Sequence, residues 1–365
     1  MTNKLSVAVV GGGVGQGHIQ AYRQLPDLYE VTAFCDIDDT KVKTVCDEYD
    51  IANSAHKIEE LFDLDIDIDI VDICTPSNMH FAQALKTIDA GKNVVIEKPM
   101  ASSLAEADEL IEAGLNSSAS VFPVFQYRFG NGIGRLRHLI EKGFAGTPAV
   151  VTAETHWFRG DDYYSAGPWR GQWASELGGT LTTHATHIHD LLVNILGPVE
   201  SVFARADNRI NGNETEDRAI LSLAFQDGSL ATSSVTLGSH QETSRLRFCF
   251  TDVTAESCQD PYNPGRDPWL FSHSNPIEQT RIDTVLADYQ STSEGFVGQF
   301  ERIHAALCGG AEPPVAITDA RASLELLTAA YWSIQTGEVV ELPISDIHPF
   351  YRGWTNNMNK GFSNG

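Results

Sequence analysis

Several things are missing from this 365-residue chain, and each absence closes off a class of function. No apolar run approaches the roughly 20 residues that would cross a bilayer. The first such run, Leu5 to Val10, follows a single Lys4 and leads into glycines rather than a small-residue cleavage site. The chain is therefore expected to be soluble, to make no membrane contact and to stay in the cytoplasm. Basic residues are scarce: 25 Lys and Arg against 49 Asp and Glu leave a formal net charge of -24. Nucleic acid is excluded as a partner, because a phosphate backbone requires a basic footprint and none is visible. Cysteine is sparse too. The six (Cys35, Cys46, Cys74, Cys249, Cys258, Cys308) show no C-x-x-C spacing, and several fall inside apolar runs, which argues against a disulfide framework or a structural zinc site. The acidic excess is read as a matter of solubility. Its densest stretch, DLDIDIDIVD between Asp63 and Asp72, reads as a solvated loop entering a strand rather than a metal cluster.

What is present begins with length: 365 residues exceed what one hydrophobic core usually supports, and two domains are expected. Leu5–Val10 is a β-branched run ending in glycines, followed by an amphipathic stretch from His18, so strand, tight turn and helix succeed one another. Val31–Asp36, Ile70–Thr75 and Val94–Glu97 read as further strands, with helices at Asp39–Tyr49 and Phe81–Ala90 between them. This alternation gives βαβ crossovers and a parallel sheet. Beyond Phe125 the pattern changes. Strands are expected at Ala149–Phe158, Val199–Ala206, Ala219–Phe225, Ser229–Leu237 and Arg245–Asp252, two of them joined by an Asp227-Gly228 hairpin turn. Helices are expected at Gly130–Lys142, Thr182–Leu196, Glu294–Cys308 and Asp319–Thr336. The fold class is α/β: a doubly wound N-terminal Rossmann sheet over 1–124, then an α+β domain over 125–345 with a large, open, mostly antiparallel sheet, and a polar tail over 346–365 that packs on a neighbour or frays.

Three segments carry chemistry. The first is the turn Gly11-Gly12-Gly13-Val14-Gly15-Gln16-Gly17-His18 between strand and helix, where glycines let the backbone approach a pyrophosphate held on the helix N-terminus. Gly11 and Gly13 fit the G-x-G-x-x-G spacing; the sixth position is Gln16, with Gly15 and Gly17 on either side. Asp36 ends the next strand, where a carboxylate accepts from the ribose hydroxyls and repels a 2′-phosphate, so NAD is favoured over NADP. The second and third segments, Thr75-Pro76-Ser77-Asn78-Met79-His80 and Glu97-Lys98-Pro99, lie at the C-terminal ends of parallel strands, where open α/β sheets bind ligands.

With these in place, and with G-G-T-L-T-T-H-A-T-H-I-H-D at Gly178–Asp190 and Y-W-S-I-Q-T-G-E-V-V-E-L-P near the end, the chain resembles the Gfo/Idh/MocA family of oxidoreductases over nearly its whole length. The resemblance implies a Rossmann domain plus a mixed-sheet domain whose exposed face makes a homodimer or homotetramer. It also implies that Lys98 is the catalytic lysine and His187 the active-site histidine. Those roles suit alcohol oxidation, since a base must take the hydroxyl proton and a cation can steady the developing alkoxide. The chain departs from the family at one point: members often carry Asp four residues before that histidine, and here the position is Thr183. By helical spacing Thr183, His187 and Asp190 share a face, and His184 lies close enough to take over part of the polar role. A zinc site at His184, His187 and His189 is the weaker reading, since His189 points away, and no metal is expected. His189 is assigned to backbone or solvent.

The loop from Trp157 to Trp173 is rich in aromatics and arginine, which suit a sugar ring and its hydroxyls. Tyr164, Trp169 and Arg170 join Thr183, His184 and Asp190 as expected substrate contacts. The expected cofactor contacts are Gly11, Gly13, Val14, Gly15, Asp36, Thr75, Pro76, Asn78, His80, Glu97 and Lys98, with Gln126 and Arg128 from the start of the second domain. The function implied is hydride transfer between NAD and a secondary alcohol or ketone of a small polyhydroxylated substrate: a sugar, polyol or cyclitol derivative. Two alternatives stand beside it: epimerisation or glycoside cleavage through a transient keto sugar, and an NAD-sensing binding protein without catalysis.

Overall fold

The computed structural model describes residues 4–358, which fold as two compact units. The first comprises Met1–Phe125 with Phe296–Arg321, the second Gln126–Gly295 with Ala322–Gly365. Residues 359–365 of the expected tail lie outside the described residues.

In the first unit six parallel strands, β1 (Leu5–Val10), β2 (Tyr29–Cys35), β3 (Asn53–Ala55), β4 (Ile70–Ile73), β5 (Asn93–Ile96) and β6 (Val121–Pro123), form a sheet in the order β3-β2-β1-β4-β5-β6. β1 and β4 read as continuous apolar runs because both their faces are covered; Val7, Ala8, Val9, Ile70 and Val71 are wholly buried. The helices between strands are α1 (Gly15–Arg23), α2 (Asp39–Tyr49), α3 (Ile58–Phe62), α4 (His80–Asp89) and α5 (Leu104–Leu115). Local capping fixes two of them: Asp38 accepts from Thr40 N and Lys41 N, and Ser103 accepts from Glu106 N. The acidic stretch divides. Asp63, Asp65 and Asp67 are exposed as expected, but Asp72, in the middle of β4, is wholly buried. Phe300 and Ile303, from the helix Gly295–Gly309, complete this core; Phe300 stacks on Tyr22 at 4.3 Å and its carbonyl accepts from Tyr29 Oη at 2.7 Å.

The second unit is built on an eight-stranded sheet. Its strands are β7 (Pro148–Phe158), β8 (Val199–Asp207), β9 (Arg218–Phe225), β10 (Leu230–Thr236), β11 (Gly238–Phe250), β12 (Thr254–Ser257), β13 (Trp269–Ser272) and β14 (Val340–Glu341), in the order β13-β12-β11-β7-β10-β9-β8-β14. All neighbours are antiparallel except β7 and β10. Alternation is clean: Ala219, Leu221, Leu223 and Phe225 of β9 face the core with Ala231, Ser233 and Val235 of β10. The helices that matter here are α6 (Asn131–Glu141), α7 (Asp161–Ser165), α8 (Trp173–Glu176) and α9 (Thr186–Leu196). The helix expected from Thr182 starts differently: Leu181–Ala185 form a π-turn ahead of α9, a feature frequent at functional sites. The tail's aromatics pack rather than fray, with Phe350 and Trp354 buried and Trp354 Nε1 donating to Leu177 O at 2.7 Å.

Candidate functional site

The glycine turn of the first unit divides its labour. Gly11 adopts φ +102°, and a Cβ there would stand 2.6 Å from Cys74 O, so only glycine fits. At Gly15 a Cβ would meet Val9 and Cys74 at 3.0 and 3.2 Å, which makes this the residue that lets α1 lie close on the sheet. Gly13 and Val14 are exposed, and a Cβ on Gly13 would meet nothing within 4 Å; this open edge beside the N-terminus of α1 fits a pyrophosphate. Asp36 stands next to it, accepting from Gly12 N at 2.8 Å and Asp38 N at 3.0 Å. Lys41 also approaches, its Cδ 3.6 Å from where a Gly12 Cβ would lie.

The two other strand-end segments are tied together by His80, which is buried and lies 2.8 Å from Thr75 O through Nε2 and 2.7 Å from Pro99 O through Nδ1. Burial pushes its pKa down against the pull of those carbonyls. Thr75 Oγ1 donates to Gln83 Oε1, Pro76 and Asn78 precede α4 at the surface, and Lys98 is half-buried at the end of β5. Glu97 is buried, its Oε2 accepting from Lys98 N at 3.1 Å. Its other oxygen meets a residue to which sequence reasoning gave no role. His18 of α1 is wholly buried between two carboxylates, Nδ1 2.8 Å from Asp72 Oδ2 and Nε2 3.2 Å from Glu97 Oε1, with Cys74 Sγ 3.3 Å away. Burial opposes its charge, but Asp72 and Cys74 outweigh that and hold its pKa well above the ordinary value.

In the second unit His187 is buried and stacks on Tyr127, ring centroids 4.6 Å apart. His184 Nε2 lies 3.3 Å from Tyr163 Oη and meets Trp157 edge-on. Arg170 lies over the Tyr163 ring at 4.0 Å and over Trp169 at 4.6 Å, while Tyr164 is half-buried beside them in α7. Burial pushes the Tyr163 hydroxyl up to about 12 and Tyr164 higher still, so both stay protonated near neutrality. Thr183 donates to Glu176 Oε1 at 3.1 Å.

Asp190, expected on substrate, and Arg128, expected on cofactor, are each other's partners: Nε and Nη2 of Arg128 donate to the two Asp190 oxygens at 2.8 and 2.6 Å, both side chains buried. A forked guanidinium and a carboxylate satisfy one another there. His189 is not turned to backbone or solvent; it is buried with Nε2 2.9 Å from Ser233 Oγ, and burial lowers its pKa to about 4, which keeps it neutral. Gln126 differs from its neighbours, since its buried Oε1 has no partner among the described residues and so fits a ligand's N–H.

A family model described as an oxidoreductase family with NAD-binding Rossmann fold matches residues 5–123, and the GFO/IDH/MocA C-terminal domain matches residues 133–256. The chain belongs to the Gfo/Idh/MocA family. It is an NAD-binding oxidoreductase. Among curated relatives, the uncharacterized oxidoreductase YrbE of Bacillus subtilis is 25% identical over 237 residues, 63% of this chain and 67% of that one. The inositol 2-dehydrogenase/D-chiro-inositol 3-dehydrogenase of Lacticaseibacillus casei is 24% identical over 331 residues, 89% and 90% of the two chains. The solved WlbA dehydrogenase from Bordetella pertussis, in complex with NADH and UDP-GlcNAcA, superposes with a TM-score of 0.83 at 26% identity, covering 94% of this chain and 100% of that one. No helix among the described residues is long and apolar enough to cross a membrane.

Proposed function

We propose that this oxidoreductase acts on a secondary alcohol or ketone of a sugar, polyol or cyclitol derivative, in the cytoplasm. The observation that carries the reading is the lining around His187: two buried histidines among Tyr127, Tyr163 and Trp157, with Arg170 spread on an aromatic face. Flat apolar faces edged by neutral hydroxyls and a planar donor suit a polyhydroxylated ring. The inositol dehydrogenase among the relatives and the nucleotide sugar in the WlbA complex support the same substrate class.

Gly11, Gly13, Val14 and Gly15 would hold the dinucleotide phosphates, Asp36 the ribose, and Gln126 an amide. Bound NAD supplies the hydride acceptor. Lys98 Nζ donates to the reacting oxygen and stabilises the charge that builds there, and the imidazole of His187 takes the hydroxyl proton. Thr183, His184, Tyr164, Trp169 and Arg170 orient the ring. A panel of inositols, sugars, polyols and uronates, incubated with NAD and read by NADH absorbance, tests the substrate class; turnover of at least one is expected, and silence across the panel overturns it. On a substrate found this way, Lys98→Ala is expected to lower the rate about a hundredfold to a thousandfold while NAD still binds. Near-normal turnover would remove Lys98 from the mechanism.

We also propose that the outer face of the eight-stranded sheet joins copies of the chain. Val150, Ile220 and Leu230 lie there 46%, 57% and 54% exposed, beside a shallow hollow lined by Thr152, Phe203, Ser222 and Thr232.

A further inference from the structure

Burying a carboxylate is unfavourable unless something requires it, and the second unit buries one immediately beside the π-turn that precedes His187. Glu176 closes α8 with only 2% of its surface exposed. Its Oε2 accepts from Gly171 N at 2.5 Å and its Oε1 accepts the hydroxyl proton of Thr183 at 3.1 Å. A threonine hydroxyl has one proton, so this contact sets its direction: the proton points to Glu176, and the oxygen presents lone pairs away from it. Thr183 stands four residues ahead of His187, about one turn along the same side of the helical segment.

We propose that Glu176 is a positioning residue that delivers anionic character to the His187 side of this segment through the Thr183 hydroxyl. The inference rests on His187 being the proton-carrying group. Position 183 thus has an acceptor of fixed polarity while carrying no charge of its own, and the charge sits one residue further out, protected from solvent.

The geometry predicts how substitutions combine. Glu176→Gln keeps the side chain's shape and an oxygen for Gly171 N, but its amide then donates to Thr183 and reverses the hydroxyl. Thr183→Asp places a second carboxylate against the first, and like charges in one buried site cannot both ionise. Each single variant is expected to lose roughly tenfold to a hundredfold in kcat/KM. Glu176→Gln combined with Thr183→Asp removes the repulsion, because the new amide donates to the new carboxylate. The double variant is expected to recover activity above either single one. The lower limb of its pH-rate profile is expected at higher pH than in the native enzyme, as a carboxylate near His187 raises the imidazole pKa.

A purely structural Glu176 would leave the lower limb of the Glu176→Gln pH-rate profile at its native position, whereas loss of the anion is expected to move that limb to lower pH. A double variant no better than Thr183→Asp alone, or a Glu176→Gln enzyme within twofold of native, overturns the proposal. If Glu176→Gln fails to fold by circular dichroism, Thr183→Val and Thr183→Ser decide: Val is expected to lose activity that Ser restores, and a native-like Val variant overturns the proposal. His187→Asn separates the layers. If it keeps its turnover, the reading of His187 falls; if it loses turnover while the double variant shows no recovery, only the role of Glu176 falls.

Discussion

The pairing of Arg128 with Asp190 can be tested against the substrate role first expected of Asp190, because the two roles predict opposite changes. The side chains are 5% and 2% exposed, and two hydrogen bonds at 2.8 and 2.6 Å align the guanidinium with the carboxylate. Replacing Asp190 with Leu takes its carboxylate away from a buried guanidinium, and replacing Arg128 with Met takes its guanidinium away from a buried carboxylate. Breaking a buried pair from one side costs about 3–5 kcal/mol, whereas replacing both partners by apolar groups of similar volume is close to neutral. Against a total stability of about 5–15 kcal/mol, either single change should remove roughly a fifth or more. Urea unfolding followed by tryptophan fluorescence, with circular dichroism to check that one transition is observed, measures all three variants. The expected result is two severely destabilised single variants and a double variant close to the native midpoint. Losses below about 1 kcal/mol in the single variants would place the pair with ordinary surface ion pairs and refute the reasoning. Unchanged midpoints with a raised KM in Asp190→Leu would return that residue to the substrate.

The remaining expectations concern the cofactor, pH and assembly. Calorimetric titration should show NAD binding about tenfold to a hundredfold more tightly than NADP, since a 2′-phosphate would meet Asp36, and equal dissociation constants would exclude that role. Glu216 is wholly buried, accepting from Gly179 N, Leu181 N and Tyr331 Oη, and burial pushes its carboxyl up to about 7. A carboxyl whose folded pKa is raised stabilises the fold fully below the unfolded value near 4.5, and that contribution is lost as pH rises through about 7. Thermal melts between these limits should fall by roughly 2–3 kcal/mol more in the native protein than in Glu216→Gln, and parallel curves would contradict this. In size-exclusion chromatography with light scattering the native chain is expected to run as an oligomer and Ile220→Asp as a monomer; a mass unchanged by the substitution would clear that face of the sheet.

Much of the fold was legible because its signals are local. Leu5–Val10 followed by glycines announces a buried strand and a tight turn without help from the rest of the chain, and the alternation in Arg218–Phe225 reports a half-covered strand. Asn53–Ala55 and Val121–Pro123 carried no such signal, since three residues hold too little periodicity to register; the neighbouring strands create them. Nor can a local pattern say which core a helix will join. The helix Gly295–Gly309 reads as one more amphipathic segment, but Phe300, Ile303 and Gln299 are committed to the Rossmann unit through Tyr22, Tyr29 and Pro123.

The candidate site divides along the same line, and His18 shows why. Its two carboxylates lie 54 and 79 residues away in sequence, and nothing near His18 indicates either. The usable signal was Asp72 itself: an acidic side chain inside IVDICT, a run whose apolar neighbours mark a strand covered on both faces, cannot remain there without a partner. Among the described residues, the basic group that meets it is His18 of α1, 2.8 Å away. The same reasoning applies to Glu97, which the apolar strand Asn93–Ile96 carries into the interior directly before Lys98. Held by His18 through one oxygen and by the Lys98 amide through the other, Glu97 fixes the backbone from which the lysine projects. The Glu-Lys-Pro motif is thus tied to a histidine 79 residues earlier, which meets the buried carboxylate of its first member.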